Sequence, residues 1–294
     1  MTLTVENTEI GFVGLGIMGQ SMAGHLQMAG YRLNVFNRTR EKAEALIAGG
    51  ATWRDSPGDV AANSGVVITM VGYPADVEEV YLAGGGIVER APSGAYLVDM
   101  TTSEPSLAVR IHEAAKAKGQ HSLDAPVSGG DVGAREARLS IMIGGEEEAF
   151  NTLLPIFELM GANIQLQGPA GAGQHTKACN QIVVAGNMLG AAEALVYAKK
   201  SGLDPIHVLE SIGTGAASSF LLNGLGPKMI DGDFDPGFFV HHFIKDMTIA
   251  LGEAEAMNLS LPGVKSAKGM YEKVVEMGGR EDGTQALFKA YDTI

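Results

Sequence analysis

The sequence predicts an α/β domain built on a doubly wound, mostly parallel sheet, followed by an all-helical domain. Three observations carry that expectation. Up to about residue 166, short apolar runs alternate with helix-like stretches, the pattern of strand–helix–strand crossovers. A glycine-rich turn directly follows the first apolar run. After Gly168 the strand-like runs stop and helical spacing takes over. The division is therefore expected at 1–168 and 169–294.

In order, the strand candidates are Glu9–Val13, Leu33–Phe36, Val66–Met70, Tyr96–Asp99, Ser122–Asp124, Leu139–Ile143 and Asn163–Leu166. Helical patterns lie between them, including Met18–Met28, Arg40–Ile47 and Pro105–Lys118. The second half opens with Ala170–Lys200, rich in alanine, leucine, methionine and valine and free of proline. It is expected to be one long buried helix. Its apolar residues exceed what one covered face needs, which points to a homodimer or homotetramer. Helices are expected at Pro205–Ile212, Phe220–Ile230, Phe239–Met257, Pro262–Glu276 and Thr284–Tyr291. Pro205 and Pro262 suit helix first turns and Gly202 a helix end.

The chain has 294 residues, 46% of them hydrophobic, enough for a large core. No stretch reaches ~18 uninterrupted apolar residues, so no membrane span is expected. The opening MTLTVENTEI does not join a basic stretch to an apolar one, as a signal peptide would. The single cysteine, Cys179, is read as a small core residue, and its solitude fits a reducing cytoplasm. A net charge of −13 disfavours nucleic acid and anionic membranes as partners. An anionic ligand would need a local site of lysines, arginines and helix N-termini.

Gly14-Leu15-Gly16-Ile17-Met18-Gly19 supplies such a site. This G-x-G-x-x-G sits between a strand and a helix, the context a Rossmann dinucleotide fold requires. The first glycine allows the tight turn, the second the approach of a pyrophosphate, and the third close packing of helix on sheet. Met70 and Val71, after their own strand, are expected to line the same crevice. An NAD enzyme usually carries an acidic residue at the end of the second strand. Here the segment reads Asn37-Arg38-Thr39-Arg40-Glu41-Lys42. Arg38 and Lys42 suit a ribose 2′-phosphate and the Thr39 hydroxyl can donate to it, so NADP is favoured with NAD as the alternative.

Two later segments carry polar chemistry. Ser128-Gly129-Gly130 ends a strand and precedes a short helix, so its exposed N–H groups and hydroxyl suit a carboxylate. Lys177, Asn180 and Gln181 are spaced i, i+3, i+4 and share a face of the long helix. A lysine near a helix N-terminus, partly buried, is pushed toward the working range of a general acid or base. His241 and His242 are adjacent and expected to point in different directions, as packing or surface groups. No metal site is expected.

Four segments together resemble the β-hydroxyacid dehydrogenase family, which includes 3-hydroxyisobutyrate dehydrogenase and the tartronate and glyoxylate/succinic semialdehyde reductases. They are Gly11–Gly19, Asp124-Ala125-Pro126-Val127-Ser128-Gly129-Gly130, Gly173-Gln174-His175-Thr176-Lys177-Ala178-Cys179-Asn180-Gln181 and Lys245-Asp246-Met247. The resemblance covers essentially the whole chain. It implies an enzyme that interconverts a small 3-hydroxy acid and its semialdehyde. It further implies that Lys177 exchanges the proton, that Asn180 hydrogen-bonds the substrate, that Thr102 contacts the nicotinamide half, and that Lys245 lies at the nicotinamide cleft. Phe243 stands where several relatives carry histidine, which is expected to tune the pocket. Within enzymes, the alternatives are an imine reductase, which usually lacks the lysine, and a 6-phosphogluconate dehydrogenase, which carries histidine where this chain has Asn180. A non-catalytic NADP-binding regulator or scaffold is the alternative of another class.

Overall fold

The computed structural model describes residues 3–292 and resolves into two compact units, divided between Lys177 and Ala178. The first unit begins with β1 (Glu9–Val13), α1 (Ile17–Met28), β2 (Arg32–Phe36), α2 (Glu44–Ala48), β3 (Thr52–Trp53), α3 (Pro57–Ala62) and β4 (Val66–Thr69). It continues with α4 (Pro74–Leu82), α5 (Ile87–Arg90), β5 (Tyr96–Asp99), α6 (Pro105–Lys116) and β6 (His121–Asp124). Then come β7 (Val127–Ser128), α7 (Gly130–Arg135), β8 (Leu139–Gly145), α8 (Glu147–Phe157) and β9 (Gly161–Gly168). The long helix α9 (Ala172–Lys200) starts in this unit and runs into the second. The second unit adds α10 (Pro205–Ile212), α11 (Phe220–Asp231), α12 (Val240–Ala256), α13 (Pro262–Glu276) and α14 (Lys289–Asp292).

The sheet order is β3-β2-β1-β4-β5-β6-β8-β7, with β9 on β8. Every pairing from β3 to β6 is parallel, whereas β8 runs antiparallel to β6 and β7 and parallel to β9. The doubly wound, mostly parallel sheet is as expected. The order reverses about β1, and open α/β sheets bind ligands beyond the carboxyl ends of their strands at such a switch point. Register makes this concrete: Val13 pairs with Thr69, Thr69 with Asp99 and Asp99 with Asp124. The loops after β1, β4, β5 and β6 therefore leave the same sheet edge side by side. Apolar β4 is buried at all four positions, as a strand covered on both faces must be.

Of the two short strands, β3 was not among the sequence candidates and β7 was implied only as the strand that Ser128 ends; two residues are too few to show a period of two. Arg40–Ile47 becomes a 3₁₀ turn (Arg40–Ala43) leading into α2, and Thr284–Tyr291 a 3₁₀ turn (Thr284–Phe288) leading into α14. Prolines stand in the first turns of α10 and α13, and Gly202 has φ +80° just beyond α9.

The core of the second unit gathers Ala185, Met188, Ala192 and Leu195 of α9 with Phe243, Met247, Tyr271 and Leu287. Helix α9 is nonetheless not buried along its length: in its most apolar window, with mean hydropathy 1.3, 39% of the residues are buried. By length and composition alone that window would suit a membrane, yet its inward face is part of the unit's core. Val183 and Tyr197 on the same helix are 61% and 73% exposed. Cys179, expected in the core, is exposed on α9. Phe243 is fully buried, edge-on to Tyr271 at 5.1 Å, and so serves the core of its unit.

Candidate active site

The glycine turn after β1 is shaped by what surrounds each residue. Gly14 has φ +95°, and a Cβ there would fall 2.2 Å from the Met70 carbonyl oxygen. A Cβ on Gly19 would fall 2.0 Å from the Gly14 oxygen, so α1 can lie against the turn only with glycine at both positions. Gly16 has open space where its side chain would be. No side-chain hydrogen bond closes the N-cap of α1, and its first turn holds no acidic residue. The helix end and the open second glycine fit a dinucleotide pyrophosphate. Met70 and Val71 are half-buried beside this turn, and the Val71 N–H donates to Thr101 Oγ1 at 3.0 Å.

The loop after β2 is tied to the same turn. Asn37 accepts from the Leu15 N–H at 2.9 Å and donates to the Thr39 carbonyl at 2.8 Å. Thr39 and Lys42 are exposed, as is Arg38, which forms a 3.2 Å ion pair with Asp76.

Along the sheet edge, Asp99 accepts from the Thr69 hydroxyl at 2.8 Å and the Thr101 N–H at 3.0 Å, anchoring the loop that carries half-buried Thr102. Burial pushes the Asp99 carboxyl up to about 6, against its hydrogen bonds to Thr101 and Thr69. One strand over, Asp124 accepts from the Gly171 and Gln174 N–H groups, both at 2.8 Å. It thereby caps the start of α9, although burial raises its pKa too. Gln174 accepts from the Ser103 N–H at 2.9 Å and donates to the Thr101 carbonyl at 2.7 Å.

Three residues past Gln174, almost one helical turn, stands Lys177. It is only 6% exposed, and its Nζ donates to the Val127 carbonyl at 2.9 Å. Val127 and Ser128 form β7, and Gly129 and Gly130 follow with φ +133° and +63°. The structure thus brings Lys177 to the strand that leads into Ser128-Gly129-Gly130. It also shows Asp99, Asp124 and Gln174 as the groups that set this geometry. Sequence reading assigned those three no role, since the partners of Asp124 and Gln174 lie 47 to 73 positions away and Thr69 lies 30 from Asp99, separations that leave no local period.

In the second unit, Asn180 donates to the Gln181 side-chain oxygen at 2.7 Å, and Gln181 donates to Asp246 Oδ2 at 2.6 Å. Asp246 Oδ1 lies 3.0 Å from Lys245 Nζ. The lysine side chain is 11% exposed, so Lys245 belongs to a buried ion pair. His241 and His242 do not diverge as expected: their rings are 4.2 Å apart and both lie against Phe239. Burial, reinforced by His241 and Lys245, pushes His242 down to about 4, leaving it neutral at pH 7. Among the described residues, no group of three or more His, Cys, Asp and Glu side chains forms a metal cluster.

A reversing parallel sheet with this glycine turn at its switch point defines a dinucleotide-binding protein of the Rossmann class. Residues 9–168 match the family model of the NAD-binding domain of 6-phosphogluconate dehydrogenase. Residues 171–291 match that of the NAD-binding domain of NADP-dependent 3-hydroxyisobutyrate dehydrogenase. The chain is 49% identical to a probable 3-hydroxyisobutyrate dehydrogenase-like protein of Arabidopsis thaliana, over 99% of this chain and 87% of the relative. It is 38% identical to 2-hydroxy-3-oxopropionate reductase of Escherichia coli, over 97% of each. The solved 3-hydroxyisobutyrate dehydrogenase of Mycobacterium tuberculosis, described with L-serine, superposes with a TM-score of 0.88 at 30% identity, covering 97% of this chain and 99% of that one. The chain belongs to the 3-hydroxyisobutyrate dehydrogenase-like family of NAD(P)-dependent oxidoreductases.

Proposed function

We propose that the protein interconverts a short 3-hydroxy acid and its semialdehyde, with Lys177 as general acid and base and NADP as the favoured cofactor. NAD is the alternative. The nicotinamide, when bound, supplies or accepts the hydride. Lys177 then gives a proton to the carbonyl oxygen in reduction and takes the hydroxyl proton in oxidation. Ser128, Gly129 and Gly130 hold the substrate carboxylate, and Asn180 hydrogen-bonds the substrate. Gly14, Leu15, Gly16, Ile17, Met18 and Gly19 bind the pyrophosphate, with Met70 and Val71 lining the dinucleotide crevice and Thr102 contacting the nicotinamide half. Asn37, Arg38, Thr39 and Lys42 serve the adenosine ribose, and Lys245 contributes to the same reaction. The domain limits that go with this reading are 1–168 and 169–294.

The observation that carries the reading is the burial of Lys177 against the Val127 carbonyl. Removing a lysine amine from water costs free energy unless it is compensated, and a protein that only binds a cofactor gains nothing from that cost. The reading thus favours an enzyme over a regulator or scaffold. The lysine also favours a hydroxyacid dehydrogenase over an imine reductase, and Asn180 disfavours a 6-phosphogluconate dehydrogenase. The substrate class follows from the Ser-Gly-Gly segment and from the relatives named above.

The test is NADPH and NADH oxidation with methylmalonate, tartronate and succinate semialdehydes and glyoxylate. Lys177→Ala should lower kcat by about 10²–10⁴ while NADPH binding persists. Near-normal turnover in that variant would remove Lys177 from the chemistry.

A further inference from the structure

Arg38 stands two residues beyond β2, at the strand end where dinucleotide folds discriminate the ribose 2′-position. Its neighbour Asn37 is hydrogen-bonded to the Leu15 N–H of the glycine turn, so the place of Arg38 is fixed relative to that turn. Its side chain is 79% exposed, yet it has a partner 38 residues away: Nη1 lies 3.2 Å from Asp76 Oδ1.

Asp76 differs from an ordinary surface carboxylate. It is only 18% exposed. Its second oxygen accepts the Tyr73 N–H at 3.0 Å, in the first turn of α4, where the helix dipole favours a negative charge. Capping explains why an acid stands there. It does not explain why the other oxygen turns to Arg38. The consequence is electrostatic. A fixed negative charge offsets the positive charge that the Arg38–Lys42 segment offers to a 2′-phosphate, which itself carries close to two negative charges at pH 7. A 2′-hydroxyl carries none.

We propose that Asp76 is a specificity-determining residue: its carboxylate, held by α4 and paired with Arg38, works against the 2′-phosphate of NADP(H) and leaves NAD(H) binding unaltered. The inference rests on the reading that Arg38 faces the 2′-phosphate. The preference for NADP(H) is then held to a moderate level, and NAD(H) is kept as a usable partner. Arg38 retains four further N–H donors for an incoming anion, so the pair attenuates the site without closing it. Charges at this range interact across water-exposed surface, so the effect is screened by salt within a Debye length of about 8–10 Å.

The experiment is a fluorescence titration of NADPH and NADH against the intact protein, at low and high salt. It uses the unmodified chain, Asp76→Asn and Arg38→Leu. Asparagine keeps one oxygen for the Tyr73 N–H and turns its amide NH2 toward Arg38, so the start of α4 keeps its cap while the negative charge and the ion pair with Arg38 are removed together. The NADPH dissociation constant should fall about three- to tenfold in Asp76→Asn at low salt, and the gain should shrink at high salt. The NADH constant should stay within about twofold, which also reports an intact fold. An unchanged or weaker NADPH affinity in Asp76→Asn overturns the proposal, as does an equal gain for both cofactors. Arg38→Leu tests the underlying reading separately and should weaken NADPH about tenfold or more. If it does not, Arg38 does not meet the 2′-phosphate, and the roles of Arg38 and Asp76 fall together. If it does while Asp76→Asn has no effect, only the role of Asp76 is refuted.

Discussion

Asp99 should make the protein less stable as pH rises through the mildly acidic range, and Asp99→Asn should abolish that loss. The residue is 6% exposed and its carboxyl is pushed up to about 6 in the folded chain. An unfolded aspartate titrates at about 3.9. The folded state therefore binds this proton more tightly. Its contribution is complete below about pH 4, is lost as pH climbs to about 6, and is constant above that. A proton held that much more tightly in the folded chain is worth at most about 3 kcal/mol. Asparagine can still accept from the Thr101 N–H and the Thr69 hydroxyl, so the loop after β5 should keep its anchor. The assay is urea unfolding of both proteins, followed on the first unit, at several pH values from about 4 to 7. Other carboxylates contribute to both curves, and the charge of Asp124 raises the Asp99 pKa, so the difference between the curves reports Asp99 together with that coupling. The unmodified chain should lose up to about 3 kcal/mol relative to Asp99→Asn across the interval. Parallel curves would show that burial of Asp99 does not cost what its surroundings imply.

Lys245→Ala should destabilise the second unit by about 3–5 kcal/mol, read as a fall in the denaturant midpoint, because it removes the cation beside the buried Asp246 carboxylate and leaves that charge to the Gln181 amide. Pairing it with Asp246→Asn should recover most of that loss, and a shift under about 0.5 kcal/mol in the single variant would mark Lys245 as a surface group. The chain should form a homodimer or homotetramer through its helical half, since Val183 and Tyr197 on α9 and Phe220 on α11 are exposed apolar groups. Light scattering at micromolar concentration checks this, and a mass of 30.7 kDa would refute it.

The parts of the fold legible in the sequence were those with a local signature. Glu9–Val13 and Tyr96–Asp99 were bounded as found, because short, largely apolar runs with a charged residue at one end read as strands buried on both faces. The glycine turn was legible because the spacing is diagnostic: Gly14 and Gly19 answer steric demands of the chain itself, and Gly16 leaves space open. Cys179 misled because helical periodicity in an alanine-rich stretch does not say which face is covered. His241 and His242 misled because spacing along a helix was taken to fix side-chain direction. Phe239, one residue before α12, gathers both rings instead. The ion pairs of Arg38 with Asp76 and Lys245 with Asp246 were invisible for different reasons. The first spans a crossover, and the second joins chain neighbours whose burial no composition shows.

The placement of Lys177 shows how two motifs far apart in the chain become one device. Asp124 opens the segment that runs into Ser128-Gly129-Gly130, and Gly173-Gln174 opens the segment that ends in Asn180-Gln181. Taken separately, an aspartate at a strand end and a glycine at a helix start are unremarkable. In the fold, the carboxylate of one receives the Gln174 N–H of the other and the Gly171 N–H just before it. The fit leaves no room for side chains: a Cβ on Gly144 would lie 2.5 Å from Asp124 Oδ1, and one on Gly173 would lie 2.6 Å from the Asp124 carbonyl oxygen. Gln174 then extends the junction to Thr101 and Ser103, beside the loop that carries Thr102. The start of the helix that bears the lysine is thereby locked to the strand ends to which the proposed reading assigns cofactor and carboxylate recognition. A reacting group must be held within about half an ångström of its productive position, and side chains locked on rigid elements achieve that better than loops. The glycines, the buried aspartate and the glutamine are therefore as necessary to the proposed chemistry as the lysine they place.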